Sequence, residues 1–382
     1  MQQGKGHGAH GATECVRYLR KRWSRRIAAI GLATALGTSL LAGCDDDEEM
    51  HTPGPVGWTI GTSNQNDSAV ILHTGDGGLN WEVQGDTALW TGHKGNDISA
   101  VDDQTAWAAL SSSDGEGSLI LHTTDGGVSW NIQTLPEEVP DGVKGIKGIS
   151  RNEAWAVGLQ GPVMHTLDGG RNWEVVPTGG ITIRQVNRMD VLGDDIWIAD
   201  YGGGDSGIIH SADHGRTWRQ EQLPSVPTGQ GPMTISIVSS QVAWTNVRPV
   251  ANIYRTQDGG NTWNVDAPEV SGPNDIDDLC AVSKDEVWAV QNANTAGVVL
   301  RVTLTGSQVD KKDWFFPGYA YEGVSCFDKS TAWIVGLKPN LGDPSRPDGS
   351  ILHTSDGETW TSQPLPVNNV GLWKVSFVGA RR

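Results

Sequence analysis

The stretch ILHTGDGGLNWEV at residues 71–83 combines an apolar run, a glycine-rich turn and a tryptophan. Related stretches recur as ILHTTDGGVSWNI at 120–132, VMHTLDGGRNWEV at 163–175, IIHSADHGRTWRQ at 208–220, IYRTQDGGNTWNV at 253–265 and ILHTSDGETWTSQ at 351–363. An aspartate that recurs in this way is required by the architecture of a repeat rather than by a single reaction. The sequence therefore predicts one structural unit that is repeated along the chain.

The pattern [ST]-x-D-x-G-x-x-W is complete five times, and two further copies are altered. The sixth unit, VLRVTLTGSQVDKKDW, has lost the aspartate and gained residues before its tryptophan, while the seventh, TSDGETW, is one residue short. Successive copies lie about 46 residues apart, a period typical of one four-stranded propeller blade. The predicted structural residues of the motif are Asp76, Asp125, Asp168, Asp213, Asp258, Asp356, Trp81, Trp130, Trp173, Trp218, Trp263 and Trp360.

A second tryptophan lies in a short apolar run upstream of each motif, as in AWAAL at 106–110 and AWAVG at 154–158. These runs are predicted second strands, and upstream segments such as DISAV at 97–101 are predicted first strands. The first unit lacks an upstream strand, whereas the C-terminal segment VGLWKVSFVG at 370–379 has no unit of its own. We therefore predict an all-β, seven-bladed propeller of four-stranded antiparallel blades over residues 55–382, closed by the C-terminal strand joining the first blade.

The complete copies resemble the Asp-box, or BNR, repeat of sialidases, xyloglucanases, sortilin-type receptors and photosystem II assembly factor-like proteins. With its AWAVG-type strands and seven short blades, the chain is most similar to the last group. This resemblance implies a propeller that serves as a binding scaffold. In the motif itself, Asp76 can accept N–H bonds inside its own turn, and an occupied carboxylate of this kind is unsuited to acid–base catalysis.

The N-terminus is predicted to be a targeting segment. Basic residues at 17–26 precede an apolar stretch that ends at Leu41-Ala42-Gly43-Cys44, which resembles a bacterial lipobox. The resemblance implies a signal peptide over 1–43, a lipidated Cys44, an acidic linker over 44–54, and an envelope protein that faces the periplasm. Asp45 resembles the signal that retains lipoproteins at the inner membrane. The outer membrane or cell surface, and the choice between general and twin-arginine export, stay open.

The charge of the chain excludes one large class of partner. The formal net charge is −17, and the basic leader holds seven of the 28 Lys and Arg residues, so the remainder is more acidic still. Such a field repels phosphate backbones, which excludes nucleic acid as a ligand. We expect a monomer that contacts the membrane only through its lipid, carries no cofactor or metal, and binds an unidentified envelope or membrane protein, or a glycan.

Five histidines recur at one position of the repeat, and two cysteines occupy first strands of neighbouring blades. His73, His122, His165, His210 and His353 precede the motif in five units, and we predict that they pack on their blades, since third strands lie too far apart to share an ion. Cys280 and Cys326 lie on the first strands of consecutive blades. Their offset gives the parity that a disulfide between blades requires, and two buried free thiols are the alternative.

The recognition surface is predicted on the face opposite the aspartate turns, where loop lengths vary. One segment on this face, Asp313–Tyr321, is rich in aromatic residues and is predicted to link two blades, with its rings either covering their own blade or anchoring a partner. The candidate binding residues are Trp314, Phe315, Phe316, Tyr319, Tyr321, Trp90, Arg184, Arg188, Tyr201 and Arg248.

Two functions from other classes remain as alternatives to a protein-binding scaffold. A sialidase needs an arginine trio and a tyrosine nucleophile paired with a glutamate, and neither arrangement is visible. A lectin-like module would use the aromatic segment against glycans. A glycosidase with a carboxylate pair formed across blades stays open, because such proximity is not encoded in local sequence. We expect no enzymatic activity.

Overall fold

The computed structural model describes residues 54–379, except 115–116, 138, 140–141, 203–205, 228, 249–251, 268–274, 294 and 341–346. The predicted signal peptide, Cys44 and nearly all of the acidic linker lie outside the described residues. The helical structure in the described part is a single 3₁₀ turn over Thr87–Trp90. No helix there is both long and apolar enough to cross a bilayer.

Strands in the described residues form seven four-stranded antiparallel sheets, which are the predicted blades. From the axis outward, the strands of the first four blades are β28 (Val370–Phe377), β1 (Gly57–Ser63), β2 (Ala69–Thr74) and β3 (Glu82–Gln84); β4 (His93–Ala100), β5 (Ala106–Ser112), β6 (Ser118–Thr123) and β7 (Asn131–Ile132); β8 (Val143–Gly148), β9 (Ala154–Gly158), β10 (Val163–Thr166) and β11 (Glu174–Val176); and β12 (Val186–Leu192), β13 (Asp195–Asp200), β14 (Gly207–Ser211) and β15 (Arg219–Glu221).

The remaining three blades follow the same order. Their strands are β16 (Gly231–Ser239), β17 (Val242–Arg248), β18 (Asn252–Thr256) and β19 (Asn264–Ala267); β20 (Ile276–Ser283), β21 (Glu286–Ala293), β22 (Ala296–Thr305) and β23 (Gln308–Pro317); and β24 (Ala320–Cys326), β25 (Ala332–Lys338), β26 (Asp348–Thr354) and β27 (Thr361–Ser362). The predicted seven-bladed propeller is confirmed.

The predicted closure of the ring is also confirmed. Strand β28 pairs with β1 in antiparallel register from Gly57 opposite Phe377 to Ser63 opposite Val370. The Phe377 ring stacks on Trp333 of blade 7, with centroids 3.8 Å apart. The C-terminal strand thus serves as the inner strand of blade 1 and packs on its neighbour.

Tryptophans form the cores between blades. The ring of each second-strand tryptophan is buried, and in several interfaces the motif tryptophan of the next blade meets it edge to face. Trp173 packs on Trp107 with centroids 5.9 Å apart, and Trp263 packs on Trp197 at 5.8 Å. Because one ring in each pair comes from each blade, the motif tryptophan fastens its blade to the preceding one at these interfaces.

Third-strand side chains cover the other face of these tryptophans. His122 stacks on Trp107 with centroids 3.6 Å apart, and the Arg255 guanidinium lies 5.2 Å from the centroid of Trp244. Burial lowers the pKa of His122 to about 4. These contacts are the packing role that the sequence predicts for the histidines.

The aspartate turn has the bonding predicted from its sequence. In blade 1, Asp76 Oδ1 accepts from Thr74 Oγ1 at 2.8 Å and from the Asn80 N–H at 2.9 Å, while Oδ2 accepts from Asn80 Nδ2 at 2.7 Å. In blade 4, the side chain and backbone N–H of Thr217 hold the pKa of Asp213 at about 2. The carboxylates are half-buried or exposed, and their hydrogen bonds keep them ionised.

A disulfide joins the inner strands of blades 6 and 7. The Sγ atoms of Cys280 and Cys326 are 2.10 Å apart, and their Cα atoms are separated by 6.0 Å. The two cysteines are 46 residues apart in sequence, so the bond closes a long loop. Crosslinks of this kind stabilise a fold by roughly 2–4 kcal/mol, chiefly through the unfolded chain.

Candidate functional site

Each inner strand carries a β-bulge near the end at which it enters its sheet. The pairing skips one residue at this point, and a skipped residue is free to turn its side chain away from the ladder. The seven skipped residues are Trp373, Asn96, Lys144, Asn187, Met233, Asp277 and Glu322. We call these residues the bulge ring.

The bulge ring surrounds a cavity of about 520 Å³ at one end of the central channel. This end lies on the face of the links between blades, opposite the aspartate turns, and we call it the mouth. Lys94 and Arg248 also line it. All seven side chains of the bulge ring are half-buried, so they are accessible to a ligand while being held by their neighbours.

The mouth has charges of opposite sign on opposite sides. Lys94 and Lys144 stand on blades 2 and 3, where Lys94 Nζ lies 3.5 Å from Asp67 Oδ1 of blade 1, whereas Asp277 and Glu322 stand on blades 6 and 7. Arg248 of blade 5 binds Asp277, with Nη2 3.2 Å from Oδ1. The cavity can therefore meet an anionic group on one wall and a cationic group on the other.

The two carboxyl groups of the acidic wall, Asp277 and Glu322, have pKa values above the ordinary range. Burial, with Glu322 nearby, raises the pKa of Asp277 to about 7, and burial also raises the pKa of Glu322. The Asn292 amide links the two, because Nδ2 lies 3.0 Å from Asp277 Oδ2 and 3.3 Å from Glu322 Oε1. A cation placed between them would favour their ionised forms.

Arg188 lies at the floor of the mouth. Its Nη1 is 3.4 Å from Asp97 Oδ1, its Nη2 contacts Asp278, and Lys374 Nζ lies 3.4 Å from Asp278 Oδ2. Below this layer, side chains such as Ser99 accept N–H bonds from the inner strand of the next blade. The charged layer separates the mouth from a smaller cavity of about 140 Å³.

The three arginines and Tyr201 that were predicted as binding residues lie in different places. Arg188 and Arg248 line the mouth, although Arg188 is held by buried carboxylates. Arg184 is exposed and Tyr201 is half-buried, both outside the mouth lining. Two of the four residues are thus brought together at the channel.

Two predicted contact residues are wrong because they are buried. Trp90 ends the 3₁₀ turn, packs between blades 1 and 2, and donates from Nε1 to the carbonyl of Ala69 at 2.9 Å. Tyr321 lies in the core between blades 6 and 7. Each ring fills a gap between blades that the blade link would otherwise leave open.

The aromatic segment Asp313–Tyr321 is largely an outer strand rather than a link, which corrects the prediction. Trp314, Phe315 and Phe316 belong to β23, where successive side chains alternate between faces. Phe315 is 64% exposed. Trp314, Phe316 and Tyr319 are half-buried against the core of blades 6 and 7, and Trp314 donates to the carbonyl of Glu358 at 2.8 Å.

The sequence analysis missed Lys144, Asp277 and Glu322, which define the two walls of the mouth. Each stands three residues before the first-strand residue that pairs with the second-strand tryptophan of its blade. These paired residues are Lys147, Cys280 and Ser325. An alignment of the first strands of the seven blades would have placed these three residues at one common position. The sequence of a single strand does not indicate that a bulge turns the side chain of the skipped residue away from the ladder.

Comparison with protein families places these features in a wider context. Residues 50–189 and 141–293 match the family described as photosynthesis system II assembly factor YCF48. No curated protein matches the chain.

Several solved structures share the fold at low sequence identity. YCF48 bound to D1 peptide has a TM-score of 0.52 at 14% identity, over 74% of this chain and 91% of that one. YCF48 from Cyanidioschyzon merolae gives 0.55 at 16% identity, over 74% and 93%. The GH74 xyloglucanase from Xanthomonas campestris gives 0.54 at 11% identity, over 86% of this chain but 55% of the enzyme.

Proposed function

The chain belongs to the family of the photosystem II assembly factor YCF48, and from that premise we propose that it is a non-enzymatic scaffold for another envelope protein. A segment of the partner binds at the mouth of the central channel. The observation that carries this proposal is the bulge ring, which turns one side chain from every blade toward a single cavity. A YCF48 structure is described as bound to D1 peptide, which supports a protein ligand for this fold.

The charges of the mouth suggest the chemistry of the bound segment. An acidic side chain or a terminal carboxylate would face Lys94 and Lys144, and a lysine or arginine would face Asp277 and Glu322. Such complementarity fixes orientation and excludes segments with the reversed charge order. The photosynthetic partner of the family is not part of this proposal.

Site-specific photocrosslinking in cells tests which surface holds the partner. A photoreactive residue replaces Asn64 at the mouth, Lys329 in a turn on the opposite face, or Phe315 on the outer strand of blade 6. We expect a discrete adduct with one envelope protein from position 64 only, because the mouth encloses its ligand. The adduct should disappear when Lys144→Glu is added, since this reversal places an anion opposite the partner's carboxylate.

The matched control for this reversal is Lys329→Glu, which makes the same charge change on the opposite face. It should leave the adduct at position 64 intact. Adducts at position 329 or 315 with none at 64 would show that the mouth is not the binding site.

We also propose that Cys44 anchors the propeller by lipid to a bacterial envelope membrane, facing the periplasm. The lipobox-like Leu41–Cys44 and the acidic spacer after it support this localisation. Cys44→Ala protein should leave the membrane fraction after a salt wash, whereas Cys15→Ala protein, altered before the cleavage site, should stay. Retention of the Cys44→Ala protein would rule out the lipid as the anchor.

One observation favours a glycosidase as the second candidate. Asp277 and Glu322 form a carboxylate pair in an open cavity, and the raised pKa of Asp277 would suit the general acid of a glycoside hydrolase. The scaffold is preferred because it accounts for the bulge-ring side chains of all seven blades, whereas a glycosidase would use only this carboxyl pair. Hydrolysis of a glycan that is abolished by Glu322→Gln would reverse this preference.

A further inference from the structure

Two histidines and a glutamate converge between blades 3 and 4, near the aspartate turns and away from the mouth. Glu153 precedes β9, His165 lies on β10, and His214 lies in the aspartate turn of blade 4. One ligand atom from each residue lies within 4.8 Å of the other two. The Nε2 atoms of His165 and His214 are 3.3 Å and 3.5 Å from the same Oε1 of Glu153.

The two nitrogen–oxygen separations match those between neighbouring ligands of a small tetrahedral ion. Zinc bonds of ~2.0–2.1 Å place neighbouring ligand atoms about 3.3 Å apart. A hydrogen bond between an imidazolium and a carboxylate is typically shorter, at ~2.7–2.9 Å. Two imidazole nitrogens that converge on one carboxylate oxygen at the longer distance leave room for an ion between the three.

The two imidazole rings are held around one tryptophan. His165 stacks on Trp155 with centroids 3.9 Å apart at 15°, and His214 meets the same ring edge to face at 5.2 Å and 82°. Glu153 is fixed by its backbone N–H bond to Ser150 Oγ at 3.0 Å. The cluster is therefore preorganised, and its side chains are 12–29% exposed, which leaves a path from solvent.

His214 departs from the repeat at a backbone position that favours glycine. It has a φ of 59°, a left-handed conformation that residues other than glycine rarely adopt. The corresponding positions in five other turns are glycines with φ between 68° and 78°, namely Gly77, Gly126, Gly169, Gly259 and Gly357. Residues other than glycine that are held in this conformation are often found at functional sites.

The backbone and the second ring nitrogen of His214 both face Asp194. The His214 backbone N–H donates to the Asp194 carbonyl at 2.9 Å, as the Gly126 N–H does to Gln104 in blade 2. The His214 Nδ1 lies 3.6 Å from Asp194 Oδ1, which is an ion-pair distance and longer than a hydrogen bond. The other ring nitrogen, Nε2, is the one directed at Glu153. Histidine at this position thus adds a ligand without changing the backbone contact.

We propose that Glu153, His165 and His214 bind one divalent transition-metal ion of the zinc class, with solvent as the fourth ligand. Nitrogen and carboxylate donors in this ratio suit Zn²⁺ rather than Ca²⁺ or Mg²⁺, which prefer oxygen alone. The ion joins blade 3 to blade 4. This site is independent of the partner proposed for the mouth.

Equilibrium dialysis of the full chain against Zn²⁺ tests the site, with metal per chain measured by mass spectrometry. Wild-type protein is expected to bind one zinc ion and to melt at a higher temperature than in chelator. Co²⁺ should give the visible absorption of a tetrahedral complex. His214→Gly should weaken zinc binding at least about tenfold, because the change removes a ligand.

His214→Gly is expected to fold, because glycine occupies this position in five other turns. Its melting temperature in chelator should be no lower than that of wild type. His93→Ala, which removes a histidine beside the mouth, is the matched control and should bind zinc as wild type does. Equal zinc affinity in His214→Gly and wild type, or no binding by wild type at micromolar Zn²⁺, would overturn the proposal.

Discussion

Deletion of residues 368–382 is expected to abolish cooperative unfolding of the propeller. The deletion removes β28, whose Val370, Leu372, Val375 and Phe377 are buried between blades. Each such side chain contributes ~1.5–3 kcal/mol when buried, so their loss is comparable to the ~5–15 kcal/mol that stabilises a whole domain. Urea unfolding followed by tryptophan fluorescence should show a broad, early transition, and the two exposed edges should promote association.

A peptide that spans residues 368–379 provides the control. Added in trans, it should restore a cooperative transition, because the pairing between β28 and β1 is made of hydrogen bonds without a covalent clasp. A scrambled peptide of the same composition should not. If the truncated chain alone melted cooperatively at the wild-type temperature, β28 would not be required for the stability of the ring.

The ring could be predicted from sequence because its rules are local and repeated. The turn around Asp76 needs only a hydroxyl, a carboxylate and two glycines at fixed spacing, and the same residues recur in most blades. The closure could be predicted because the first unit lacks an inner strand and the segment at 370–379 belongs to no other unit. Such inferences need no knowledge of how blades contact each other.

The candidate site was predictable only in part, because it depends on contacts between blades. Arg188 and Arg248 were placed on the correct face, but Trp90 and Tyr321 were expected there and are buried. An aromatic residue in a link can serve a partner or a core equally well, and the packing of neighbouring blades decides which. The bulge beside Lys144 is visible only once strand register is known.

The cluster around Glu153 had a sequence signal that was not used. His214 stands where the other turns have glycine, and glycine is normally required at a left-handed position. The partner residues, however, lie about 50 to 60 residues upstream in another blade, as ring neighbours do in a repeat of this period. The repeat shows that His214 is unusual at its position, but only the three-dimensional structure shows that it lies beside Glu153 and His165.

Arg188→Met is expected to destabilise the propeller by about 3–5 kcal/mol, the cost of leaving buried carboxylates without their cation. Burial raises the pKa of Asp97 even with Arg188 in place. At Asp278, burial is outweighed by Arg188 and Lys374, which hold its pKa below the ordinary value. Without the guanidinium, Lys374 remains in contact with Asp278, and Asp97 is left with the weaker attraction of Lys374 and Lys144. The free energy of unfolding in urea at pH 8 measures the loss.

The pH dependence of this loss separates an unpaired charge from a packing defect. In Arg188→Met the folded state raises the pKa of Asp97 further above its unfolded value, so the folded chain binds more protons than the unfolded one, and stability falls as pH rises through the folded-state pKa. The deficit relative to wild type should therefore be smaller at pH 5 than at pH 8. Adding Asp97→Asn to Arg188→Met should recover much of the stability at pH 8, because Lys374 and Asp278 then remain as one neutral pair. A deficit that is the same at both pH values and in the double variant would assign Arg188 a packing role and leave the charged floor of the mouth without energetic importance.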